Sequence, residues 1–339
     1  MPIFELSSPE MKTNIRRVVG GSDDDKRRAW DIHQSKVEHI RSTIFEGERD
    51  LSEEELSMLR RSEYNVNMMR KRVGLPPVVI TSKDIRAINK KHVVIEGETI
   101  SGGGHSAMMQ TAFLSEASQF SEGVVRFDFI QHECVHIGQY QDMQFRTREG
   151  TITNYKSGLA VEALRPDDSG EYGSYLHPLN EAVTEENARR FTLAIPENDP
   201  ELGHIARKRN EAFGSFLQFC KENPRHGYPQ TVLDGDMLTM EFDKKTGGPK
   251  VSPFMYYYAR QAMWHLFEKI YDKNPKHFQG KTRKESKEDM FEIVTTCMMT
   301  GNLIPFGRLM NEAFGLETFR SFGRITTAEE FTTFVEELS

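Results

Sequence analysis

His132 and His136 lie four residues apart in the segment HECVH, and Glu133 directly follows the first of them. On an α-helix, residues four positions apart share one face, so the two imidazoles can bind one metal ion. Glu133 is rotated by about 100° around the same helix, which places its carboxylate at the flank of the ion. There it can take a proton from a water molecule that a zinc ion activates. The alternative is that three polar residues fall in this order on an ordinary helix.

The residues around this motif predict a helix with an apolar back. On a helical projection, Phe127, Ile130, Cys134 and Ile137 fall opposite the two histidines. Such a pattern is typical of a helix that packs its back in the core and presents its histidines to a cleft. It also assigns Cys134 to the apolar face and not to the metal.

A catalytic zinc ion normally has three protein ligands, so a third ligand is expected downstream of the histidines. The segment NEAVTE contains two glutamates four residues apart, Glu181 and Glu185. The carboxylate of Glu181 can reach the metal, and Glu185 can accept a hydrogen bond from the free ring nitrogen of a ligand histidine. Thr184 and Ala188 flank this face and are small enough to let another helix approach. The alternative is a solvated helix face that continues into the charged residues after it.

The two motifs together, H-E-x-x-H followed by N-E-A-x-(S/T)-(D/E), resemble those of the gluzincin metallopeptidases, the group that includes thermolysin. The resemblance implies that one zinc ion is bound by three residues, His132, His136 and Glu181. It assigns Glu133 as the general base and Glu185 as the partner of the first histidine. It also implies that the substrate is a peptide or a protein.

The same resemblance implies a fold in which a small sheet covers the active-site helix and later helices bring the third ligand. Residues 78–195, about a third of the chain, fit that order. The chain departs from the family in one respect: Glu181 follows His136 by 45 positions, which is more than in thermolysin. This insertion leaves the ligand assignment in place but makes the shape of the pocket unpredictable.

In this family an edge strand pairs with the substrate backbone, and the segment GGGHSAMM is the candidate for it here. His105, Ser106 and Ala107 are therefore predicted to bind substrate. Peptide hydrolysis also needs a hydrogen-bond donor for the developing oxyanion, and in the family this is usually a tyrosine or a histidine. The candidates are Tyr172, Tyr175, His177, Tyr256, Tyr257 and Tyr258. A tyrosine often begins a helix after the glutamate helix in such domains, so the sequence analysis favours Tyr258.

Two other interpretations compete with this one. In a metzincin-like site, Asp142 would be the third ligand, six residues after His136. That pattern requires glycine three residues after the second histidine, and here Gln139 occupies the position while glycine is at 138. The other interpretation is a latent or non-catalytic interaction protein that keeps the zinc-binding scaffold. The presence of both the ligands and the base argues against a loss of chemistry.

The elements around the motifs predict an α+β fold. It consists of a small mixed β-sheet over the active-site helix, then a mainly helical subdomain, with extra helices at both ends. Strands are predicted at 78–81, at 92–97 and in the second half of 99–116, with a short helix or turn between the first two. After residue 121 the chain is predicted to be mostly helical. Ser52 and Glu55 form a capping-box pattern at the start of an early helix.

The predicted organisation has three parts. They are an N-terminal helical region at residues 1–76, a gluzincin-like zinc peptidase core at 77–275 and a C-terminal helical region at 276–339. The last 60 residues are expected to form three or four helices.

The composition is that of a globular protein, with 339 residues, 37% hydrophobic and 28% charged. A net charge of -7 argues against a nucleic-acid or anionic-membrane binder. The sequence has neither an apolar run of about 20 residues nor a signal-peptide pattern, so a cytoplasmic location is expected. The three cysteines, Cys134, Cys220 and Cys297, are odd in number and far apart. They are predicted to be free thiols without a disulfide framework.

Overall fold

The computed structural model describes residues 4–5, 17–19, 22, 24, 27, 31, 48–88, 92–95, 98–101, 103–106, 111–115, 123–146, 151–164, 172–224, 227–228, 230–243 and 247–338. This part of the chain combines α-helices with small, largely antiparallel sheets, which agrees with the predicted mixture of helices and strands.

The helices whose bounds are described are α1 (Glu53–Arg72), α2 (Gly123–Gly138), α3 (His177–Leu193), α4 (Gly203–Glu222), α5 (Gln230–Leu233), α6 (Tyr257–Lys273), α7 (Arg283–Thr300), α8 (Ile304–Phe314), α9 (Leu316–Phe322) and α10 (Ala328–Glu337). The strands are β1 (Phe4–Glu5), β2 (Arg17–Val19), β3 (Glu48–Arg49), β4 (Ile85–Ile88), β5 (His92–Ile95), β6 (Glu98–Ser101), β7 (Gly103–Ser106), β8 (Thr111–Ser115), β9 (Gln141–Arg146), β10 (Thr151–Ser157), β11 (Ala160–Leu164), β12 (Tyr172–Tyr175), β13 (Thr239–Phe242) and β14 (Pro249–Ser252).

Helix α1 begins at the predicted capping box. The Glu55 backbone N–H donates to Ser52 Oγ at 3.2 Å, and the Ser52 backbone N–H donates to the Glu55 carboxylate at 2.7 Å. These reciprocal bonds satisfy two backbone donors that the first helical turn leaves without a partner. The chain leaves the helix through Gly74, whose φ of +72° is a left-handed conformation that glycine adopts at little cost.

A four-stranded mixed sheet lies against the helix that carries HECVH. Its strand order is β3-β4-β8-β7, in which β4 and β8 are parallel and the other neighbours are antiparallel. Three of these strands contact α2. The register partners Ile85 and Ala112 are buried in the same core as Phe127 and Ile130. The sheet therefore packs against the helix that carries the two histidines.

The prediction of a strand at residues 78–81 is wrong. The Asn67 side chain occupies both backbone groups of Val78: Oδ1 accepts from its N–H at 2.8 Å, and Nδ2 donates to its C=O at 2.9 Å. A backbone whose polar groups are satisfied by a side chain has none left for a neighbouring strand. The strand lies instead at Ile85–Ile88, where a short helix or turn was predicted.

The prediction of mostly helical structure after residue 121 is also wrong for the segment between the two motif helices. Strands β9 to β12 form an antiparallel meander there. The sheet reaches six strands, in the order β1-β2-β9-β10-β11-β12, because β2 pairs in parallel with β9. The N-terminal region, predicted to be helical, thus contributes strands to this sheet. The division into three domains stays a prediction.

Helix α2 contacts both α1 and α3, and α3 contacts α6 and α7. On α3, Thr184 and Ala188 are buried, and the Thr184 hydroxyl donates to the sulfur of Met298 on α7 at 3.6 Å. This agrees with the prediction that these small residues let another helix approach. Helices α7 to α10 make up the last part of the described chain, as expected for three or four helices. None of the helices in the described residues combines the length and apolar character that a membrane crossing requires.

Gly138, the last residue of α2, marks a close approach between α1 and α2. A methyl group added there would lie 2.1 Å from Val66 Cγ1. We expect Gly138→Ala to lower the free energy of unfolding by about 1–3 kcal/mol, because extra volume in a packed contact forces its neighbours to move. Chemical denaturation measures the change. The double variant with Val66→Ala should be more stable than the sum of the two single losses implies.

Gly214→Ala on α4 is the matched control. An added methyl group there meets nothing within 4 Å. Since alanine is the better helix former, this change should be neutral or should stabilise the protein by up to about 1 kcal/mol. Equal losses of unfolding free energy in Gly138→Ala and Gly214→Ala would contradict the explanation by a close contact.

Candidate metal centre

Three side-chain atoms that can bind a metal ion converge at one point. His132 Nε2 and His136 Nε2 are 3.0 Å apart, and each lies 3.2 Å from Glu181 Oε2. All three residues are buried. The described residues therefore contain a His/His/Glu group that could hold a metal ion.

The spacing of these atoms is close to that around a tetrahedral ion. With ligand bonds of about 2.0–2.1 Å, two corners of a tetrahedron are about 3.3 Å apart. The observed separations of 3.0 to 3.2 Å are slightly shorter than that edge. A cation shared by the three atoms would fit this spacing and would leave the fourth corner for water or substrate.

Two helices bring these ligands together, and the chain enters one of them through a strained residue. Helix α2 carries both histidines one turn apart, and α3 carries Glu181. Leu176, just before α3, and Tyr256, just before α6, are the non-glycine residues with positive φ in the described chain, at 57° and 49°. Such conformations persist only where surrounding contacts hold them, and they cluster at functional sites.

Glu185 lies where the sequence analysis expected it. Its Oε2 is 2.8 Å from His132 Nδ1. The ring therefore donates its Nδ1–H to the carboxylate and presents the lone pair of Nε2 to the metal position. Glu185 is fully buried, so water does not compete for this bond.

Gln139, which the sequence analysis did not single out as a functional residue, holds the other histidine. Its Nε2 lies 3.0 Å from His136 Nδ1 and 2.8 Å from Ser157 Oγ. Metal binding at His136 Nε2 leaves the proton on Nδ1, which then needs an acceptor. A half-turn of the amide supplies one, because Gln139 Oε1 is buried without a hydrogen-bond partner among the described residues. Its position three residues after His136 is the signal that could have identified it.

Burial and the neighbouring charges act in opposite directions on the ionisation of His132 and Glu181. Burial would lower the pKa of His132, but the carboxylates of Glu181 and Glu185 outweigh it and raise that pKa well above its usual range. Burial would raise the pKa of Glu181, but His136 and His132 hold it well below its usual range. Glu181 is therefore an ionised carboxylate at neutral pH, the form that binds a metal.

Glu133 lies beside this group, and its charge interacts with both histidines. It is 4% exposed, and its Oε2 has no hydrogen-bond partner within the described part of the chain. Burial raises the pKa of the Glu133 carboxyl, although the two imidazoles oppose that effect. A buried carboxylate with a free oxygen next to the metal position is suited to accept a proton from water.

Tyr256, and not the favoured Tyr258, contacts the ligand group. Tyr258 is 75% exposed, and its ring packs on Tyr257. The Tyr256 ring stacks on His132, with 5.3 Å between centroids and 14° between planes. The Glu181 carboxylate and burial both raise the pKa of the Tyr256 hydroxyl, which therefore stays a donor at neutral pH. Tyr256, at the left-handed turn before α6, therefore lies beside the ligand group, and Tyr258 does not. The oxyanion role itself stays a prediction.

His177 is a second oxyanion candidate that lies at the centre. Its Nδ1 is 3.4 Å from Glu181 Oε1, and its side chain is 46% exposed. The other candidates lie on neighbouring elements: Tyr172 and Tyr175 on β12, and Tyr257 at the start of α6. His177 is one helical turn before Glu181 and so approaches the oxygen of Glu181 that faces away from the metal position.

The predicted substrate-binding segment falls on β7. This strand stands last in the order of the mixed sheet and contacts α2. His105 and Ser106 pair with Ala112 and Thr111 of β8. Ala107 lies outside the described residues. The substrate-binding role of this segment stays a prediction.

Two residues named in the sequence analysis are not part of the ligand group. Asp142, the ligand of the metzincin-like alternative, is the second residue of β9 and accepts a hydrogen bond from the Tyr140 hydroxyl at 2.7 Å. Cys134 lies in the apolar core, where burial raises the pKa of its thiol. All three cysteines are free, as predicted. The arrangement favours Glu181 over Asp142 as the third ligand.

The centre as a whole combines three converging ligand atoms, a hydrogen-bonding partner behind each histidine and a buried carboxylate beside them. It can bind a cation and remove a proton from a nearby water molecule. No protein-family model, curated protein or solved structure matches the chain.

Proposed function

We propose that the protein is a zinc-dependent metallopeptidase that hydrolyses peptide bonds with one zinc ion at His132, His136 and Glu181. The observation that carries this proposal is the near-tetrahedral spacing of the three ligand atoms, with the buried carboxylate of Glu133 beside them. The resemblance of HECVH and NEAVTE to the gluzincin motifs supports the same reaction.

Zinc suits this ligand set better than the other common cations. Magnesium and calcium prefer six or more oxygen ligands, whereas this centre offers two imidazole nitrogens and one carboxylate. Two histidines and a glutamate are the ligands of several catalytic zinc sites. When bound, zinc would polarise the scissile carbonyl and make a nearby water molecule more acidic.

The residues of the chain then have separate roles. Glu133 takes a proton from the attacking water and delivers it to the leaving amine. The Tyr256 O–H donates a hydrogen bond to the oxyanion that develops on the carbonyl. Glu185 and Gln139 hold the two histidines in the orientation that presents Nε2 to the metal.

A peptide substrate is supported by the sheet beside the centre. An extended peptide can add to an edge strand through main-chain hydrogen bonds. Strand β7 stands at the end of its sheet in the described chain and contacts the helix that carries the ligands. A peptide paired with β7 would therefore run past the metal position.

The test begins with the metal. Inductively coupled plasma mass spectrometry of the purified chain should find close to one zinc ion per molecule. The zinc-loaded protein is then incubated with a peptide library, and the products are identified by mass spectrometry. Treatment with a chelator should abolish cleavage, and added zinc should restore it.

The outcomes separate this function from its alternative. Stoichiometric zinc without cleavage of any library peptide would favour a latent or non-catalytic zinc-binding interaction protein. A chain that binds no zinc would contradict both the peptidase and the zinc-binding interaction protein. Cleavage that persists in the chelator would point to a contaminating peptidase of another class.

Removing the Tyr256 hydroxyl tests the oxyanion role. Tyr256→Phe keeps the ring that stacks on His132 and removes only the donor. We expect kcat to fall by roughly 10²–10³, the usual loss when one oxyanion donor is removed, with a small change in KM. Steady-state kinetics on a peptide from the library measures both constants.

Tyr258→Phe is the control, because it makes the same chemical change two residues away on a largely exposed ring. It should leave kcat close to that of the unmodified protein. An effect of Tyr258→Phe alone would return the role to Tyr258, and equal effects of the two variants would contradict the assignment to Tyr256.

A further inference from the structure

The turn between β10 and β11 is buried, although most turns lie on the surface. It consists of Gly158 and Leu159, and Ser157 pairs with Ala160 on either side of it. The turn belongs to the long connection between the two motifs. A buried turn has to find partners for its backbone polar groups within the protein, because water cannot reach them. Those partners lie beside the metal ligands.

On one side the turn is bound to the end of α2. The Gly158 N–H donates to the Tyr140 carbonyl, two residues past the last residue of α2, at 2.7 Å. Ser157 Oγ lies 2.8 Å from Gln139 Nε2, and the Gln139 amide contacts the ring of His136. The hairpin therefore supports the side chain that holds one of the two histidines.

On the other side the turn is bound to α3. The Leu159 N–H donates to Asn180 Oδ1 at 2.9 Å. Asn180 is buried and directly precedes the ligand Glu181. Leu159 is itself part of the main apolar core, so the turn cannot move outward without opening that core. The same turn thus contacts neighbours of ligands on both helices.

Gly158 makes this double contact possible. Its φ is +60°, and a two-residue hairpin loop favours glycine at such a position. A methyl group added there would lie 2.4 Å from both Asn180 Oδ1 and Gln139 Oε1. Those separations are too short for a non-bonded contact. The two amide side chains can meet the turn together only because residue 158 has no side chain.

We propose that the β10–β11 turn is a positioning element of the metal centre. Because Gly158 lets Gln139 and Asn180 approach the same backbone, the turn sets the distance between the histidines of α2 and Glu181 of α3. Gln139 and Asn180 act through the ligands beside them and are not ligands themselves. This inference rests on the proposed metal-binding function. It gives the long connection between the motifs a role, since its hairpin returns to the centre and holds both ligand helices.

Replacing Gly158 by alanine tests this arrangement. The added methyl group would push against two amide side chains, so the zinc affinity of Gly158→Ala should fall roughly 10–100-fold, the usual loss when the partner of a ligand is disturbed. Gly247→Ala is the matched control. Gly247 also has a left-handed φ, +68°, but a methyl group added there meets nothing within 4 Å. It should bind zinc as the unmodified protein does. Competition with a zinc-binding dye measures both variants, under conditions in which urea unfolding shows each of them to be folded.

A double-variant cycle connects the effect to the contact with α3. Asn180→Ala removes the acceptor of the Leu159 N–H and also one of the two oxygens that a methyl group at residue 158 would meet. Gly158→Ala should therefore cost less zinc affinity in the Asn180→Ala background than in the unmodified protein. Equal losses in the two backgrounds would contradict the shared contact.

Nuclear magnetic resonance of histidine-labelled protein gives a readout that needs no metal. It is recorded on the chelator-treated full-length chain, and the variant His136→Gln assigns the ring signals of His136. These signals should move in Gly158→Ala and in Ser157→Ala, which removes the hydroxyl beside Gln139. They should keep their positions in Gly247→Ala. Ser157 is only half-buried, so Ser157→Ala decides the question even if Gly158→Ala does not fold.

The outcomes keep this inference apart from the proposed function. An unmodified protein that binds no zinc would overturn the metallopeptidase, whereas His136 signals that move in the chelator-treated variants would still support the turn as the element that holds this histidine. Equal zinc affinities of Gly158→Ala and Gly247→Ala would overturn the inference and leave the peptidase in place. Unchanged His136 signals in both Gly158→Ala and Ser157→Ala would overturn it as well.

Discussion

Replacing Glu181 by glutamine should weaken zinc binding by roughly a hundredfold or more. Loss of a residue that only hydrogen-bonds to a metal ligand already weakens metal binding by about 10–100-fold, and Glu181 is a ligand itself. Glutamine has nearly the shape of glutamate but no charge. Glu181 Oε2 lies 3.2 Å from both ligand nitrogens, and Oε1 lies 3.4 Å from His177 Nδ1. No other carboxylate belongs to the ligand group of the described residues. Its replacement therefore removes the only anionic ligand without disturbing the packing of α3.

Zinc content and competition with a zinc-binding dye measure this effect, and two variants calibrate it. Glu185→Gln removes the carboxylate that hydrogen-bonds to His132 but removes no ligand, so its zinc affinity should fall by about 10–100-fold. Glu317→Gln, at a side chain that is 82% exposed, should have no effect. Unchanged zinc affinity in Glu181→Gln would mean that the metal is held by another set of residues. A loss shared by all three variants would point to general destabilisation.

The parts of the centre that could be predicted from the sequence are those that one helix determines. The four-residue spacing of His132 and His136 fixes their common face whatever surrounds α2. The same holds for Glu181 and Glu185 on α3. The contact between the two helices did not follow from spacing. It required the assumption that both pairs serve one metal ion, which the convergence of His132 Nε2 and Glu181 Oε2 supports.

The choice between neighbouring tyrosines could not be made from the sequence. Helix periodicity would place Tyr256 and Tyr258 about 200° apart, but it does not give the direction of a side chain that precedes the first residue of the helix. Tyr256 has a φ of 49° and lies just before α6. Its direction depends on the turn that leads into the helix, and this turn is set by tertiary contacts.

The strands were predicted poorly because strand formation depends on partners that are distant in the sequence. Val78 lies in an apolar run that favours a strand, yet the side chain of Asn67 takes its hydrogen bonds. Strand β9 pairs with β2, more than a hundred positions earlier in the chain. Neither fact can be read from a local pattern. Gln139 is different, because it lies within one turn of a ligand histidine, and a search of the flanking turn would have found it.

Replacing Glu133 by glutamine should lower kcat by roughly 10²–10⁴, the range expected for loss of a general base. The amide has nearly the same shape as the carboxylate but cannot accept the proton of water at neutral pH. Glu133 is not a ligand, so Glu133→Gln should bind zinc with the stoichiometry of the unmodified protein. The measurement is peptide cleavage under saturating substrate, together with the zinc content of the same preparation.

The value of this variant is that it separates metal binding from catalysis in a single chain. A scaffold that only binds zinc would show no difference between Glu133→Gln and the exposed control Glu317→Gln. Glu181→Gln removes activity by removing the metal, so it cannot make that distinction. If Glu133→Gln keeps both its zinc and its full activity, another group accepts the proton, and the general-base assignment is wrong. Lost cleavage with retained zinc is expected because the buried Glu133 oxygen lies beside the ligands and has no competing hydrogen-bond partner within the described residues.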